Sequence, residues 1–234
     1  MFGLALLAVG HSQPRSFDDV QKLMYTDARK LKGYSDTWAF TQPDGETKIS
    51  YDRKVDGNKA YLKVVVNGKP MLMSCHDGKA RGIVNFSEKM FASENAKNTS
   101  FTAPYKPESE KSGSGTLNVA FVDAYDLSIT CTPPFALSGI KSGRENGKQV
   151  RVVTALASNP DTGGKVTFEL ILEMDRWVPL RFGVSIKSKD GKVRSFEGKR
   201  TSFSENQKFQ ISDFQVDSFG AKGFKRVPFP KYEG

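Results

Sequence analysis

The chain is poor in the residues that carry chemistry. It has two histidines and two cysteines in 234 residues, and with His11 inside an apolar leader the remaining ligands cannot readily assemble a zinc site. His76 stands between Cys75 and Asp77, but neighbours on a strand point to opposite faces. No G-x-S-x-G elbow, phosphate-binding loop or dinucleotide fingerprint occurs. The sequence therefore argues for a non-enzymatic protein with no catalytic residue, no metal and no cofactor. Long apolar runs are missing too: the opening stretch, residues 2–9, is too short to span a bilayer. The formal charge of +9 is not gathered into a block. With no recognised nucleic-acid motif beside them, the scattered basic residues on outward strand positions read as a solvated face rather than a nucleic-acid surface, with room for a weak attraction to anionic lipid head groups. No repeat at a solenoid period is found.

What is present is a period of two. In residues 165–188, Val166, Phe168, Leu170, Leu172 and Met174 alternate with Thr167, Glu169, Ile171 and Glu173. After a turn at Asp175-Arg176, Val178, Leu180, Phe182, Val184 and Ile186 are again apolar. This is the signature of an antiparallel pair with one oily face. Its ten side chains, at about 1.5–3 kcal/mol each when fully buried, represent on the order of 15–30 kcal/mol, so something must cover them. Glu169 and Glu173 are read as solubilising charge on the outer side. Other segments repeat the pattern: Ile49, Tyr51 and Val55; Ala60, Leu62, Val64 and Val66; Met71, Met73 and Cys75; Val150, Val152, Thr154 and Leu156; Phe209 with Ile211, then Phe214 and Val216 after a phase slip. Asp56-Gly57, Asn67-Gly68, Asp77-Gly78, Gly163-Gly164 and Asp190-Gly191 supply the turns.

Taken in order, residues 1–15 read as a secretory signal peptide whose usual positive start is missing, with a buried N-terminal strand as the rival reading. The remainder, 16–234, is one domain of exported, soluble character. Ser16-x-x-Asp19 resembles a capping box, and Phe17, Val20, Met24, Ala28 and Leu31 line one side of a helix over 17–32, with Gly33 as its C-terminal cap. Residues 89–94 read as continuing the sheet, with the start of a helical turn as the alternative. Residues 102–115 read as a mobile loop. Residues 116–128 read as a helical insertion, with a buried strand as the alternative because LNVAFV has high β-propensity. Residues 220–234 form a Gly/Pro/Lys-rich tail. Cys75 and Cys131 can meet if the insertion packs inside the sheet; bridged and free thiols are both open in an exported protein. Asn98-Thr99-Ser100 fits a glycosylation acceptor but reads as a polar turn.

The order of elements resembles the LolA/LolB-like fold of bacterial lipoprotein carriers, shared by RseB-type periplasmic sensors. The resemblance lies mainly in LEMDRWVPLRFGVSIKSKDGKVRSFEGKRTSFSENQKFQISDFQV (172–216), with a strand ending in Asp, a Pro-Leu start, an Asp-x-x-Gly turn, and Asn before a last strand. Asn67-Gly68 to Met73, followed by Asp77-Gly78-Lys79, resembles the middle hairpins. The resemblance implies a mainly β (α+β) fold: a large antiparallel sheet curled into an incomplete barrel, with the N-terminal helix and the helical insertion covering its apolar face. It further implies an apolar cavity for acyl chains. The expected cavity wall comprises Leu62, Val64, Met71, Met73, Phe168, Leu170, Leu172, Leu180, Phe182 and Val184, and the expected lid Val20, Met24 and Leu31. The function implied is that of a monomeric carrier in the periplasm or cell envelope that shields the acyl chains of a lipoprotein or lipid, meeting a membrane surface or envelope protein transiently. A sensor or protein-interaction module of the same fold with a packed core is the alternative. No motif matches the family's lid arginine.

Overall fold

Ser16 sets the first element. Its hydroxyl accepts from the Asp19 N–H at 3.1 Å, while the Asp19 carboxylate accepts from the Arg15 and Ser16 N–H groups at 2.9 and 3.0 Å, so the expected capping box is closed. A computed structural model describes residues 13–41, 45–96, 117–122, 126–131, 135–158 and 163–229, with backbone alone for those between 117 and 131. Residues 1–12 of the expected signal peptide 1–15, the loop 102–115 and the Asn98 acceptor lie outside the described residues.

Helix α1 spans Phe17–Ala28 and buries Phe17, Val20 and Met24. It is shorter than its apolar spacing suggests, because Arg29 caps it and the chain turns toward β1. Gly33 does not cap the helix. At φ +47° it lies against the backbone of Gln207, whose carbonyl oxygen stands 2.1 Å from where a Cβ would be, and its own carbonyl accepts from the Gln207 N–H at 2.7 Å.

The strands are β1 Tyr34–Thr41, β2 Lys48–Asp56, β3 Lys59–Val66, β4 Lys69–His76, β5 Ala80–Asn85, β6 Met90–Asn95, β7 Leu117–Val122, β8 Asp126–Cys131, β9 Ala136–Glu145, β10 Lys148–Ser158, β11 Lys165–Glu173, β12 Pro179–Lys187, β13 Val193–Ser204 and β14 Lys225–Arg226. Twelve form one sheet in the order β14-β6-β5-β4-β3-β2-β1-β13-β12-β11-β10-β9. Two meanders, β1–β6 and β9–β13, are thus joined at the β1–β13 pair, and the sheet does not close into a barrel. β7 and β8 pair only with each other in a separate two-stranded sheet. The helical insertion is therefore a hairpin, as the β-branched and aromatic content of LNVAFV and LSIT favours.

Cross-strand register assigns the faces. Tyr34 pairs with Val55 and Trp38 with Tyr51, while Val55 pairs with Ala60 and Arg53 with Leu62, so all of these share the α1 face. Tyr61, however, pairs with Cys75, and Lys63 with Met73. Met73 and Cys75 therefore lie on the face opposite Leu62 and Val64, and the one continuous apolar face read from sequence is two faces. The reverse face of β3–β6 is covered by the C-terminal chain. Residues 209–216, expected as a last strand, instead contain the 3-10 helix Ile211–Phe214, followed by a second at Asp217–Lys222. These bring Phe214, 1% exposed, and Val216, 3% exposed, under the surface. The supposed tail is fixed too: Phe224 packs beside Phe219 and Phe86, and β14 pairs in parallel with β6.

Two further phase corrections come from bulges. Between β11 and β12 the register slips, Ile171 facing Arg181 and Leu172 facing Pro179. The skipped Leu180 turns to the outer face and packs with Val150, Val152 and Ile171. On β10 the inner face is carried by Val153, Ala155 and Ala157, while Val150 and Val152 lie on the outer one and Leu156 is exposed. Glu173 is no mere solubilising charge: it accepts from Arg200 Nη2 at 2.6 Å and from Arg176 Nε at 2.8 Å.

Candidate functional site

The expected cavity wall is dispersed. Phe168, Leu170, Leu172, Phe182 and Val184 do come together with Val20 and Met24 of the expected lid, but as a filled core with Phe17, Trp38 and Phe135. Trp38, Phe168, Leu170, Leu172 and Phe182 are each 0% exposed. The rings interlock, Phe17 against Phe168 at 5.6 Å edge-on and Phe168 stacked on Phe182 at 5.9 Å. Leu62 and the lid residue Leu31 instead flank a small cluster of Tyr34, Val55 and Ala60. Met73 belongs to the reverse-face cluster, Met71 is 40% exposed, and Val64 is half-buried on the α1 face beyond the helix. Leu180 stands on the outer face.

A buried ion pair lies in the α1 face. Arg53 Nε donates to Asp36 Oδ1 at 2.7 Å, its Nη2 to Oδ2, and Trp38 Nε1 to the same carboxylate at 3.0 Å. With both carboxylate oxygens satisfied, the pair can be kept in the interior. Both residues occupy inward positions of period-two strands, between Tyr34 and Trp38 and between Tyr51 and Val55. A charge in that phase is the signal that could have found them.

Arg151 lacks that signal in the sequence, standing between Val150 and Val152, but register makes it face Leu172 across the strand pair and so extend the inner row of Val153 and Ala155. There the core ends and a groove of about 1010 Å³ begins, between the end of α1, the β11–β12 turn and β9. Its apolar lining includes Leu31, Ile140, Met174 and Trp177. Arg151 lies over the Trp177 ring at 4.0 Å and donates from Nη2 to the Met174 carbonyl at 2.8 Å. Its Nη1 is buried with no hydrogen-bond partner among the described residues. Burial pushes the guanidinium's pKa down, while the Asp27 and Asp175 carboxylates pull the other way. The neighbouring charges are used: Asp27 accepts from the Trp177 N–H at 2.8 Å and pairs with Lys30 at 2.6 Å, and Arg176 pairs with Glu173 and Glu205.

The thiols do not bridge. Cys75 is free and buried, packed with Met73, Val84 and Val216 on the reverse face, whereas β8, which carries Cys131, lies against α1 on the other. The Cys131 side chain is outside the described residues. Burial, helped by the Asp77 and Asp217 carboxylates, pushes the Cys75 pKa up to about 12, so it is no nucleophile. His76 is equally structural: Nδ1 accepts from the Gly78 N–H at 2.9 Å and Nε2 lies 2.9 Å from the Ala96 carbonyl. Among the described residues no group of His, Cys, Asp and Glu could hold a metal ion.

No family model and no curated protein matches the chain. Solved structures do. An uncharacterized conserved protein from Thermus thermophilus is 9% identical over 91% of this chain and 99% of its own, with a TM-score of 0.52. The complex structure of Pseudomonas aeruginosa MucA/MucB gives 12% identity over 86% of this chain and 61% of that chain, with a TM-score of 0.46. A DUF1329 family protein from Desulfovibrio piger gives 9% identity over 86% and 97%, with a TM-score of 0.34. The likeness to the Thermus protein is one of fold.

Proposed function

We propose that this protein is a non-enzymatic binding module of the cell envelope, built on a LolA-like curled sheet whose interior is its own core and whose partner binds at the groove beyond the end of α1. The observation that carries this reading is the burial of Trp38, Phe168, Leu170, Leu172 and Phe182 beneath the helix. An acyl chain could enter there only by displacing Phe17, Val20 and Met24 and covering again everything they now cover. Export to the periplasm or envelope belongs to the same proposal and rests on the apolar leader. Among the described residues no helix is long and apolar enough to cross a membrane.

A second reading, the carrier for acyl chains of a lipoprotein or lipid, is favoured by one observation. Beyond α1, on the same face, the cross-strand pairs Ile49–Val66 and Tyr51–Val64 are only half-buried and could accept part of a chain. A fatty-acid series separates the two. A chain held in an apolar channel gains up to ~0.8 kcal/mol per methylene, so affinity measured by calorimetry should climb several-fold with each added carbon. The packed-core reading expects a flat series, and a steep one that is insensitive to salt would overturn it.

A further inference from the structure

Arg151 is held by two contacts and left open at a third. Its guanidinium is stacked on Trp177 and anchored through Nη2 to the Met174 carbonyl, while Nη1 has no partner and no carboxylate lies within ion-pair distance among the described residues. An unpaired donor under a surface costs about 1–3 kcal/mol, and here it sits at a groove large enough for a ligand. Arg176 and Lys30 are already paired within the groove, but Lys32 and Lys141 line it without an ion pair among the described residues.

We infer that Arg151 anchors a carboxylate-binding subsite in this groove, and that the carboxylate comes from an acidic peptide segment of the protein's partner. The inference rests on the reading of the groove as the partner-binding surface. A planar carboxylate matches the remaining arm of a guanidinium, in a hydrogen bond that no group among the described residues supplies. Binding turns Nη1 out toward the groove, a side-chain rotation common at interfaces, while the Trp177 stack holds the plane. Asp27 and Asp175 oppose an anion, but Asp27 is occupied by Lys30 and the Trp177 N–H, and Lys32 and Lys141 outweigh the exposed Asp175. A peptide fits better than an amphiphile because the apolar lining is interrupted by these charges. In addition, β9, which contributes Ile140, Lys141 and Ser142, is the last strand of its sheet among the described residues and can pair with an extended segment.

The test uses intrinsic fluorescence of the whole protein. Trp177 lines the groove, and Trp38 is sealed in the core. Acetylated pentaglutamate amide should perturb the emission, and pentaglutamine should not. Arg151→Gln should weaken pentaglutamate binding about tenfold or more, the loss of one charge-assisted hydrogen bond. Ser142 is exposed and faces Arg151 across the strand pair, so Ser142→Asp should fill the subsite from within and weaken binding similarly with the melting temperature unchanged. Pentaglutamate binding that is absent, or untouched by both variants, overturns the inference, as does decanoate binding that depends on Arg151 when pentaglutamate binding does not. If pentaglutamate fails and the fatty-acid series is flat, this inference falls alone. If pentaglutamate binds through Arg151 and the fatty-acid series is steep, the packed-core reading falls alone.

Discussion

One sheet is covered twice, on opposite faces and by different means. Over β10–β12 and β1 the cover is α1, whose Phe17, Val20 and Met24 complete a cluster of interlocked rings. Over the reverse face of β3–β6 the cover is a chain of two short 3-10 turns, dropping Val216 and Phe219 into a cluster with Tyr61, Cys75 and Phe91. Individual polar contacts fix it: Lys54 to Asp213 at 2.6 Å, Gln215 to Asp77 at 2.9 Å and Ser93 to Asp217 at 3.2 Å. A period-two pattern therefore tells that a strand has an oily side, but not which side of the sheet that is, nor that its cover must be amphipathic.

The difference is easiest to break at the helix-covered half. Phe168 touches Phe17, Phe135 and Phe182, and Phe168→Ala should cost about 3–5 kcal/mol, read as a lower urea midpoint with an unchanged slope. A cost below ~1 kcal/mol would mean that the rings do not carry this core.

On the other half the sharpest handle is Gly82, where a Cβ would stand 2.3 Å from Val216 Cγ2. Gly82→Ala should cost about 1–3 kcal/mol through overpacking. The same change in a Val216→Ala background should cost clearly less, and additive costs would show that the C-terminal chain does not sit on the strand. Smaller again, Ser16→Ala removes the N-cap acceptor and should cost about 1 kcal/mol, seen in thermal denaturation and localised by faster hydrogen exchange in α1 alone.

The gentlest probe is pH, which addresses the halves from opposite ends of the scale. The Cys75 thiol is raised from an ordinary value near 9 to about 12, chiefly by burial, and Tyr61, its cross-strand neighbour, from 10 to about 12 for the same first cause. Folded protein thus holds protons that unfolded protein has released. The stability these groups contribute is intact below about 9 and drains away as pH rises toward 12. Asp19 is displaced the other way, held down by the Arg15 N–H and the Ser16 hydroxyl, so its contribution is present above the usual carboxylate range and is lost on acidification. Urea titrations at pH 7, 9 and 10.5 should converge for wild type and Cys75→Ala as pH rises; parallel curves would dismiss the buried thiol as a source of alkaline sensitivity.

Much of the fold was legible in local pattern. The capping box at Ser16, the hairpin turns and the even-numbered row from Phe168 to Val184 follow from spacing alone. What escaped depends on contacts between distant segments. The Leu180 phase reverses because Leu180 is one extra residue, between Pro179 and Arg181, accommodated opposite Leu172 and Ile171. The faces of β3 and β4 separate because register, not composition, decides which residues are opposite. Of the site, the core positions were visible but read as a cavity wall, since nothing in an apolar row says whether a helix or a ligand will fill it. Asp36 and Arg53 stood in plain sight as charges in inward phase, whereas Arg151 was hidden between Val150 and Val152 and only register turns it inward.

The β1–β13 seam has a consequence for how the chain is made. Each meander is built from neighbours in sequence and can form as soon as its own residues are available. The pairing of Ser35 with Ser204 and of Thr41 with Glu197 cannot occur until the chain has been synthesised through residue 204. Closing so long a loop is the entropically expensive contact of the fold, so the complete sheet forms late, after two smaller sheets have formed at either end. During that interval β1 and β13 are open edges, and Trp38 and Phe40 have no β13 beside them. A chain with this topology stays in two parts until β13 has been made, and that strand is what joins them.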